Sequence, residues 1–589
     1  MASLPAPDAR PELRRATLWA VLAWLLCSAA MLWLFRGDYA AFAFRDPDDA
    51  MRLAQIRDWI GGQAFWDVSQ HRVNPPIGGP MHWSRIVDMP VAALTLLLRP
   101  LVGAAGAERL ACILAPLLLL GGLTVTLFTA TRRMAGAGVA LLGVILLLTA
   151  PSILVQFTPL RIDHHGWQIL LAALALCGAM DPRAARGGVV AGVALALWLN
   201  ISSEALPYAA LFAAIFALRH WIAQDQTPRF IAFALTLGGA ALPLLALLRG
   251  PSALFAAYCD ALSFVYLWPL VALALATAAA ARLIGSRTAT RRCLVAAIGG
   301  GAALATFLVT GGPCLSGDPF AALGPLAYKL WYLQVMEGRP IWEQSLSMRG
   351  VILLTPLLGL GATLLAAWHT RDSARARWLT LALLLTGAIL VAVMVMRALS
   401  VAHLFALPGI AWLLATLFAR VQASGFAPVR IVGSVMLVLL TPAGLSALWV
   451  AGAATPEPAK KPSADCRSAA VLAPLRALPP ATVFAPLDIG PDILVQTRHG
   501  VIGTAHHRNV AGITAVIAGF TDSPDSARAV ITHTSATLLV TCDGLNEYRL
   551  YGQARAHGLA AQLASEKAPG WLDPLPTKGP LKIYRIRRP

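Results

Sequence analysis

Charge is what this sequence has least of. Asp, Glu, Lys and Arg make up 13% of its 589 residues, 58% are hydrophobic, and the mean hydropathy is +0.67. A soluble globular chain of this length cannot cover its surface with so little charge, so that class is excluded. Successive apolar runs of about 18–20 residues read instead as transmembrane helices. Acid is scarcer than base, 29 residues against 47, for a net charge of +18. The excess does not point to nucleic acid, because the arginines lie in short gaps between apolar runs, and in alternate gaps. That is the positive-inside pattern. Cysteine is scarce too, with eight in the chain. Those in or beside apolar runs read as small buried hydrophobes. Cys466 and Cys542 are the pair in the hydrophilic C-terminal part, and a disulfide is expected between them in an oxidising compartment. A convincing small-residue cleavage site is also lacking. The run 16–35, which follows Arg10, Arg14 and Arg15, therefore reads as a signal-anchor span with a cytoplasmic N-terminus.

What is present sorts into about thirteen spans with a soluble domain behind them. Span 1 leads to a large outer loop, 36–90, and 91–105 reads as an interfacial or re-entrant piece. Twelve further spans follow, among them 135–156, a short one at 167–180, and 430–450. A long outer loop covers 311–350, and 250–263 reads as a short surface helix. The membrane domain is thus 1–454. Residues 455–465 are a Pro/Lys/Ala linker, and 466–589 form a periplasmic α/β domain. In that domain the runs ATVFA, DILVQT, TLLVTC and LKIYRI read as strands, and CRSAAVLAPLRAL, SPDSARAVITH and YGQARAHGLAAQLA read as helices. The expected fold class is an all-α polytopic membrane domain with a small C-terminal α/β domain.

The few acids are not scattered. Residues 45–88 hold Asp46, Asp48 and Asp49 within four positions, and carboxylates that close repel unless a cation lies among them. A second cluster follows at Asp163, His164 and His165, and a third at Glu337 and Glu343. All three fall on the side opposite the arginine-rich gaps. Ionisable groups at membrane helix ends are costly unless they serve a site or a pathway. Carboxylates with an imidazole suit Mn²⁺ or Mg²⁺. Such an ion can neutralise a phosphate leaving group, and a free carboxylate can deprotonate an acceptor. Other polar features need no site: Trp59, Trp66, Trp83, Trp331 and Trp342 read as aromatic belts, and Glu204 reads either as lining the site or as a helix-end carboxylate at the water boundary. HHRN at 506–509 and CDGLNEY at 542–548 are polar features of the C-terminal part without an assigned role.

The motifs DPDDAMR (Asp46 to Arg52), PPIGGPMHWSRIVD, RIDHHGWQ, VMEGRP and MRALSVAHLFALPG resemble those of the oligosaccharyltransferase catalytic subunit. That subunit belongs to the GT-C superfamily of polytopic glycosyltransferases, and the motifs come nearest to its archaeal and bacterial single-subunit forms. The resemblance implies a GT-C-like fold and transfer of a sugar or oligosaccharide from a polyprenyl-phosphate or polyprenyl-pyrophosphate donor. It implies that Asp46, Asp163 and His165 bind the divalent metal. Glu337 completes the site and, with Asp46, contacts the acceptor; Asp48 is the second choice for that role. Arg397 lies near the lipid phosphate. The WWDYG motif that reads a glycosylation sequon is absent from 455–589. The acceptor, whether protein, lipid or glycan, therefore stays open. The expected setting is the outer face of a bacterial inner membrane, with a cytoplasmic N-terminus, a periplasmic C-terminus, membrane lipid around the spans and no nucleic-acid partner. A transporter or flippase of a lipid-linked or small anionic substrate is the alternative. Against it, the acids cluster in loops rather than at the midplane, and no internal repeat is visible.

Overall fold

The computed structural model describes residues 10–315, 320, 323–453 and 465–588. It is a mostly helical, multi-pass membrane fold with a small mixed sheet at the C-terminal end. Ten helices are long and apolar enough to cross a membrane, and two bent helix pairs raise the number to twelve. About thirteen were expected. The difference is the span at 167–180, which is the helix His165–Ala179, apolar but only 15 residues long. At 1.5 Å per residue it reaches roughly 22 Å, short of the roughly 30 Å hydrocarbon core.

The expected straight spans 135–156 and 430–450 are the bent pairs. Ala137–Leu147 meets Pro151–Phe157 at 66°, and Ala427–Leu440 meets Pro442–Ala453 at 76°. Both second halves open on a proline. Its ring suits the first turn of a helix and cannot continue the hydrogen bonds of a preceding one. In Arg85–Ala135 the break falls at Gly103, whose φ of 75° lies in the left-handed region. It separates the interrupted piece expected at 91–105 from the span behind it. The segment 250–263 is a short 3₁₀ turn, Pro251–Leu254, followed by loop rather than a surface helix.

The segment 36–90, expected as the first outer loop, is a packed unit. Asp46 caps the helix Pro47–Ile60, accepting from the Asp48 backbone N–H at 2.9 Å, and Pro47 fills the first helical position. Below it, fully buried Asp88 accepts from Arg52 at 2.7 Å, Gln55 at 2.6 Å and Arg85 at 3.1 Å. Removing that carboxylate would leave two buried guanidiniums uncompensated, a cost of roughly 3–5 kcal/mol. Arg52 also lies over the Trp83 ring, 4.3 Å from its centroid. Trp83 is 2% exposed, so it is part of the loop's core and not of an aromatic belt.

The C-terminal sheet has strands β1 (Thr482–Phe484), β2 (Gly500–Val501), β3 (Leu538–Cys542), β4 (Leu572–Leu575) and β5 (Leu581–Ile586). Their order is β2-β1-β3-β5-β4. β1 runs parallel to both its neighbours, while β5 is antiparallel to β3 and β4. Three of the four expected strands are present. The fourth, DILVQT, is the helix Gly490–Gln496 instead. Pro491 sits in its first turn, and burial from Gly490 through Val495 removes the alternation that would mark a strand. This helix packs on Pro47–Ile60. The outer loop also reaches the sheet edge: Val501 N–H donates to Arg72 O at 2.8 Å, and Asn74 N–H to Val501 O at 2.7 Å. The expected linker 455–465 lies, except for Asp465, outside the described residues.

The expected disulfide Cys466–Cys542 is formed. A second, Cys259–Cys314, joins two cysteines read as buried hydrophobes. Each stands just beyond the end of an apolar run, and the fold brings the two loops together.

Candidate functional site

The segment 161–165 meets the start of helix Pro47–Ile60 through one guanidinium. Arg161 Nη1 lies 2.6 Å from Asp46 and 3.0 Å from Asp49, and Nη2 lies 2.9 Å from Asp163. Asp49 holds the register. Its Oδ1 accepts from the backbone N–H groups of Ile162 and Asp163 at 2.8 and 2.9 Å. Asp163 Oδ1 in turn caps the next helix by accepting from His165 N–H at 2.9 Å, and Oδ2 lies 3.6 Å from His165 Nε2. Three carboxylates therefore share one positive charge. Burial alone would raise Asp163, but Arg161 and the two histidines outweigh it and hold the group well below the usual carboxylate range. For Asp46 burial wins, aided by the charge of Asp48, and its carboxyl is raised. Burial, with His165 beside it, keeps the His164 imidazole neutral down to about 3.

A second set forms where the turn Met396–Ala398 breaks the path between two spans. Arg397 Nε lies 2.8 Å from Glu204, and Nη1 lies 3.6 Å from Glu337. The loop bearing Glu337 is fixed from both sides. Met396 N–H donates to Arg339 O at 3.2 Å, and Gln344 Nε2 donates to Met336 O at 2.7 Å. Burial raises Glu337, against the opposing charges of His165 and Arg397.

A third set joins remote parts of the chain. Asp260 accepts two bonds from Arg508, at 2.7 and 2.8 Å, and lies 2.7 Å from His507 Nε2. The His82 ring stands 4.6 Å from that of His507. Ligand atoms of His82, Asp260 and His507 fall within 4.8 Å of one another, which makes them a candidate metal site. Next to it, His506 Nε2 lies 3.3 Å from Asp48. Burial would raise Asp48, but His506 holds it down to about 2.

One cavity of about 760 Å³ connects all three sets, lined among others by Asp46, Asp48, Glu204, Glu337, Arg397 and His506. The structure thus sets Asp46, Asp48, Glu337 and Arg397 on one cavity. Asp163 and His165 sit behind them, the first bridged to Asp46 through Arg161. As arranged, Asp46, Asp163 and His165 do not converge on a common ion position, because the Arg161 guanidinium lies between the two carboxylates. The three-donor convergence among the described residues is at His82, Asp260 and His507.

Sequence reasoning missed Arg161, although it stands two residues before Asp163 and is the arginine of RIDHH. Glu204, left open in the sequence between lining the site and being a helix-end carboxylate, pairs with Arg397 and lines the cavity. His82 and Asp260 carried no local signal, since only the fold makes them neighbours. In CDGLNEY the buried acid is Glu547, which accepts from the Leu487 and Asp488 N–H groups at 3.0 and 2.8 Å.

No family model and no curated protein matches the chain. Solved structures do. The archaeal oligosaccharyltransferase AglB from Archaeoglobus fulgidus, in complex with an inhibitory peptide and a dolichol-phosphate, superposes with a TM-score of 0.65 at 14% identity, over 94% of this chain and 72% of that one. The same organism's oligosaccharyltransferase, tethered with an acceptor peptide containing the NVT sequon, gives 0.62 at 13% identity, over 97% and 74%. Its complex with Zn and sulfate gives 0.56 at 14%, over 96% and 73%. At this identity the likeness is one of fold.

Proposed function

We propose that the chain is a metal-dependent glycosyltransferase that moves a sugar or oligosaccharide from a polyprenyl-phosphate or polyprenyl-pyrophosphate donor to an acceptor. We place the reaction on the periplasmic face of a bacterial inner membrane, following the arginine asymmetry of the gaps between spans. The reading is carried by one observation: a single cavity is lined both by the acids Asp46, Asp48, Glu204 and Glu337 and by the guanidinium of Arg397. Glycosyl transfer needs both, a base for the acceptor and a cation for the departing phosphate.

The raised carboxyl of Asp46 suits it as the base, since a group nearer the working pH both binds and gives up a proton. Asp48, held low by His506, is the weaker base and serves as the anchor of the C-terminal segment. Arg397 is held by Glu204 until substrate arrives, and then faces the phosphate whose charge grows as the sugar leaves. Glu337, on the other side of Arg397, orients the acceptor. The Asp46, Asp163 and His165 donors fit a divalent cation in chemistry. Three carboxylates on one guanidinium leave surplus negative charge, and His164 Nδ1 is buried without a hydrogen-bond partner. With Arg161 turned aside these residues would hold Mn²⁺ or Mg²⁺, which supplies positive charge to the leaving phosphate when bound. The similar archaeal enzyme was solved with dolichol-phosphate, which supports a lipid-phosphate donor here.

The test is to incubate the purified chain with Mn²⁺ and an envelope lipid extract, following polyprenyl phosphate and pyrophosphate release beside Asp163→Ala. Release by wild type alone is expected. Equal release from both would refute the site. Ion-driven flux in proteoliposomes with no glycosyl product would favour a transporter.

A further inference from the structure

Two apolar clefts run into the central cavity, one on each side of the segment 155–165. Val155 and Thr158 line the first, and Gln156 and His165 line the second. The first cleft, about 510 Å³, lies between helix Arg10–Leu34 and the bent pair 137–157, with Ala30, Met31, Leu148 and Leu154 along it. It ends on Arg45, Asp46 and Arg161. The second, about 290 Å³, runs past Ile169, Leu206 and Val391 and ends on Glu204 and Arg397. Each cleft shares its polar end with the central cavity: Asp46 for the first, Glu204 and Arg397 for the second.

Both ends carry a carboxylate and a guanidinium, and they differ in pairing: Arg161 is shared by three carboxylates, while Arg397 faces Glu204 and Glu337. Under the transferase reading above, the Arg397 end takes the donor phosphate and the donor's isoprenoid tail. That leaves the cleft ending on Asp46 for the acceptor. What fills a cleft between membrane helices is decided by solvation. A peptide backbone there would give up its hydrogen bonds to water at several kcal/mol for each unpaired group, whereas a hydrocarbon chain gives up nothing. Helix Arg10–Leu34 also leaves Leu26 and Trp33 exposed, which sets it at the lipid boundary. Arg45 at the polar end pairs with Asp38 at 2.7 Å, yet its side chain stays 67% exposed and can meet a polar headgroup.

We propose that the acceptor is itself a membrane lipid. Its chain lies in the cleft of helix Arg10–Leu34, and its headgroup hydroxyl reaches Asp46. The hydroxyl oxygen bonds to the anomeric carbon as that carbon's bond to the donor phosphate oxygen breaks. The hydroxyl proton passes to Asp46, and the electron pair of the broken bond leaves on the lipid phosphate. The inference rests on the transferase reading and goes beyond it by assigning both substrates to the bilayer.

The test uses the full chain in detergent, with the polyprenyl-linked fraction of sugar-tritiated envelope lipids as donor. Unlabelled phospholipid extract is supplied as acceptor in one arm and a mixture of synthetic sequon peptides in the other. Label is expected to move into a second organic-soluble product in the phospholipid arm and not into peptide. Ala30→Trp, which fills the cleft, is expected to cut that transfer at least about tenfold, equivalent to about 1.4 kcal/mol, with donor still retained on the immobilised protein. Met31→Phe, a milder filling that guards against misfolding, should give a smaller loss in the same direction. Label in the peptide, or cleft variants that transfer as wild type does, would overturn the inference while leaving the transferase reading intact. Donor left whole by wild type in both arms would sink the transferase reading and this inference with it.

Discussion

Two clusters face the same cavity and are built from the same residue types, yet their charge balance is opposite. Around Arg161, three carboxylates share one guanidinium. Around Asp260, one carboxylate takes two bonds from Arg508 and a third contact from His507, with Arg249 nearby donating to the His82 carbonyl. Buried charge without a partner is expensive, and a cluster that keeps a surplus is poised for a cation or a proton. A balanced cluster is a joint. This one ties the 250–263 loop to the first outer loop and to the C-terminal segment, beside the Cys259–Cys314 disulfide. Surplus charge, more than the density of polar residues, separates the chemical end of the cavity from its frame.

The sharpest break between the two would come from removing one charge in each. Asp46→Asn should lower transfer by roughly 100- to 10,000-fold, the usual range for loss of a general base. It removes a repelling charge, so the fold should survive unchanged. Asp260→Asn should do the reverse. It leaves Arg508 without its anion, at a cost of about 1–3 kcal/mol, and transfer should fall less than about tenfold. Polyprenyl phosphate release measures the first effect. Amide hydrogen exchange over 500–512 measures the second. A folded Asp260→Asn protein as inactive as Asp46→Asn would erase the distinction.

Metal removal sharpens the same comparison with a smaller effect. Chelation should reduce transfer by about 10- to 100-fold, equivalent to about 1.4–2.7 kcal/mol of lost charge stabilisation, and Mn²⁺ should restore it. Hard oxygen donors dominate the Arg161 cluster, while two imidazoles dominate at His82 and His507. Zn²⁺ should therefore bind without restoring transfer, and its retention should be lost in His82→Ala. Restoration by Zn²⁺ that depends on His82 would move the working metal to the balanced cluster.

How much of this was legible in the sequence follows from range. The spans, the segregation of arginines from acids and three strands of the sheet are local patterns, and they were readable. Asp46, Asp48 and Glu337 stand out because acids are anomalies in a chain so poor in charge, whereas Arg397 is picked out through the family resemblance alone; the fold sets all four on one cavity. DILVQT was misread because a fully buried run carries no periodicity to separate strand from helix. The bends at Pro151 and Pro442 were signalled by the prolines themselves and were overridden by the length of the apolar runs. Asp260 could not be found, since its partners stand 247 and 248 residues away. Asp49 stands in the sequence only as a member of the acidic cluster, and its two backbone bonds show it to be the brace of the segment carrying Asp163.

The smallest expected effect concerns a carboxyl that belongs to the frame but lines the cavity. Burial, reinforced by Asp488, pushes Glu547 up to about 8, against the bonds it accepts from Tyr551 and from the Leu487 and Asp488 N–H groups. Its folded-state value therefore lies above the ordinary 4.5. A raised value means that the folded protein holds the proton more tightly than the unfolded chain does. The associated stability is fully present below about 4.5 and is lost as pH rises through about 8, amounting to a few kcal/mol at most. Wild type should then melt at progressively lower temperature from pH 5 to pH 9. Glu547→Gln keeps an acceptor for one of the backbone bonds and cannot ionise, so its melting temperature should be flatter over the same range. If Glu547 instead belongs to the chemical end of the cavity, the substitution would cut transfer at every pH and leave the melting profile parallel to wild type. That outcome would place surplus charge on both sides of the cavity and remove the line drawn between site and frame.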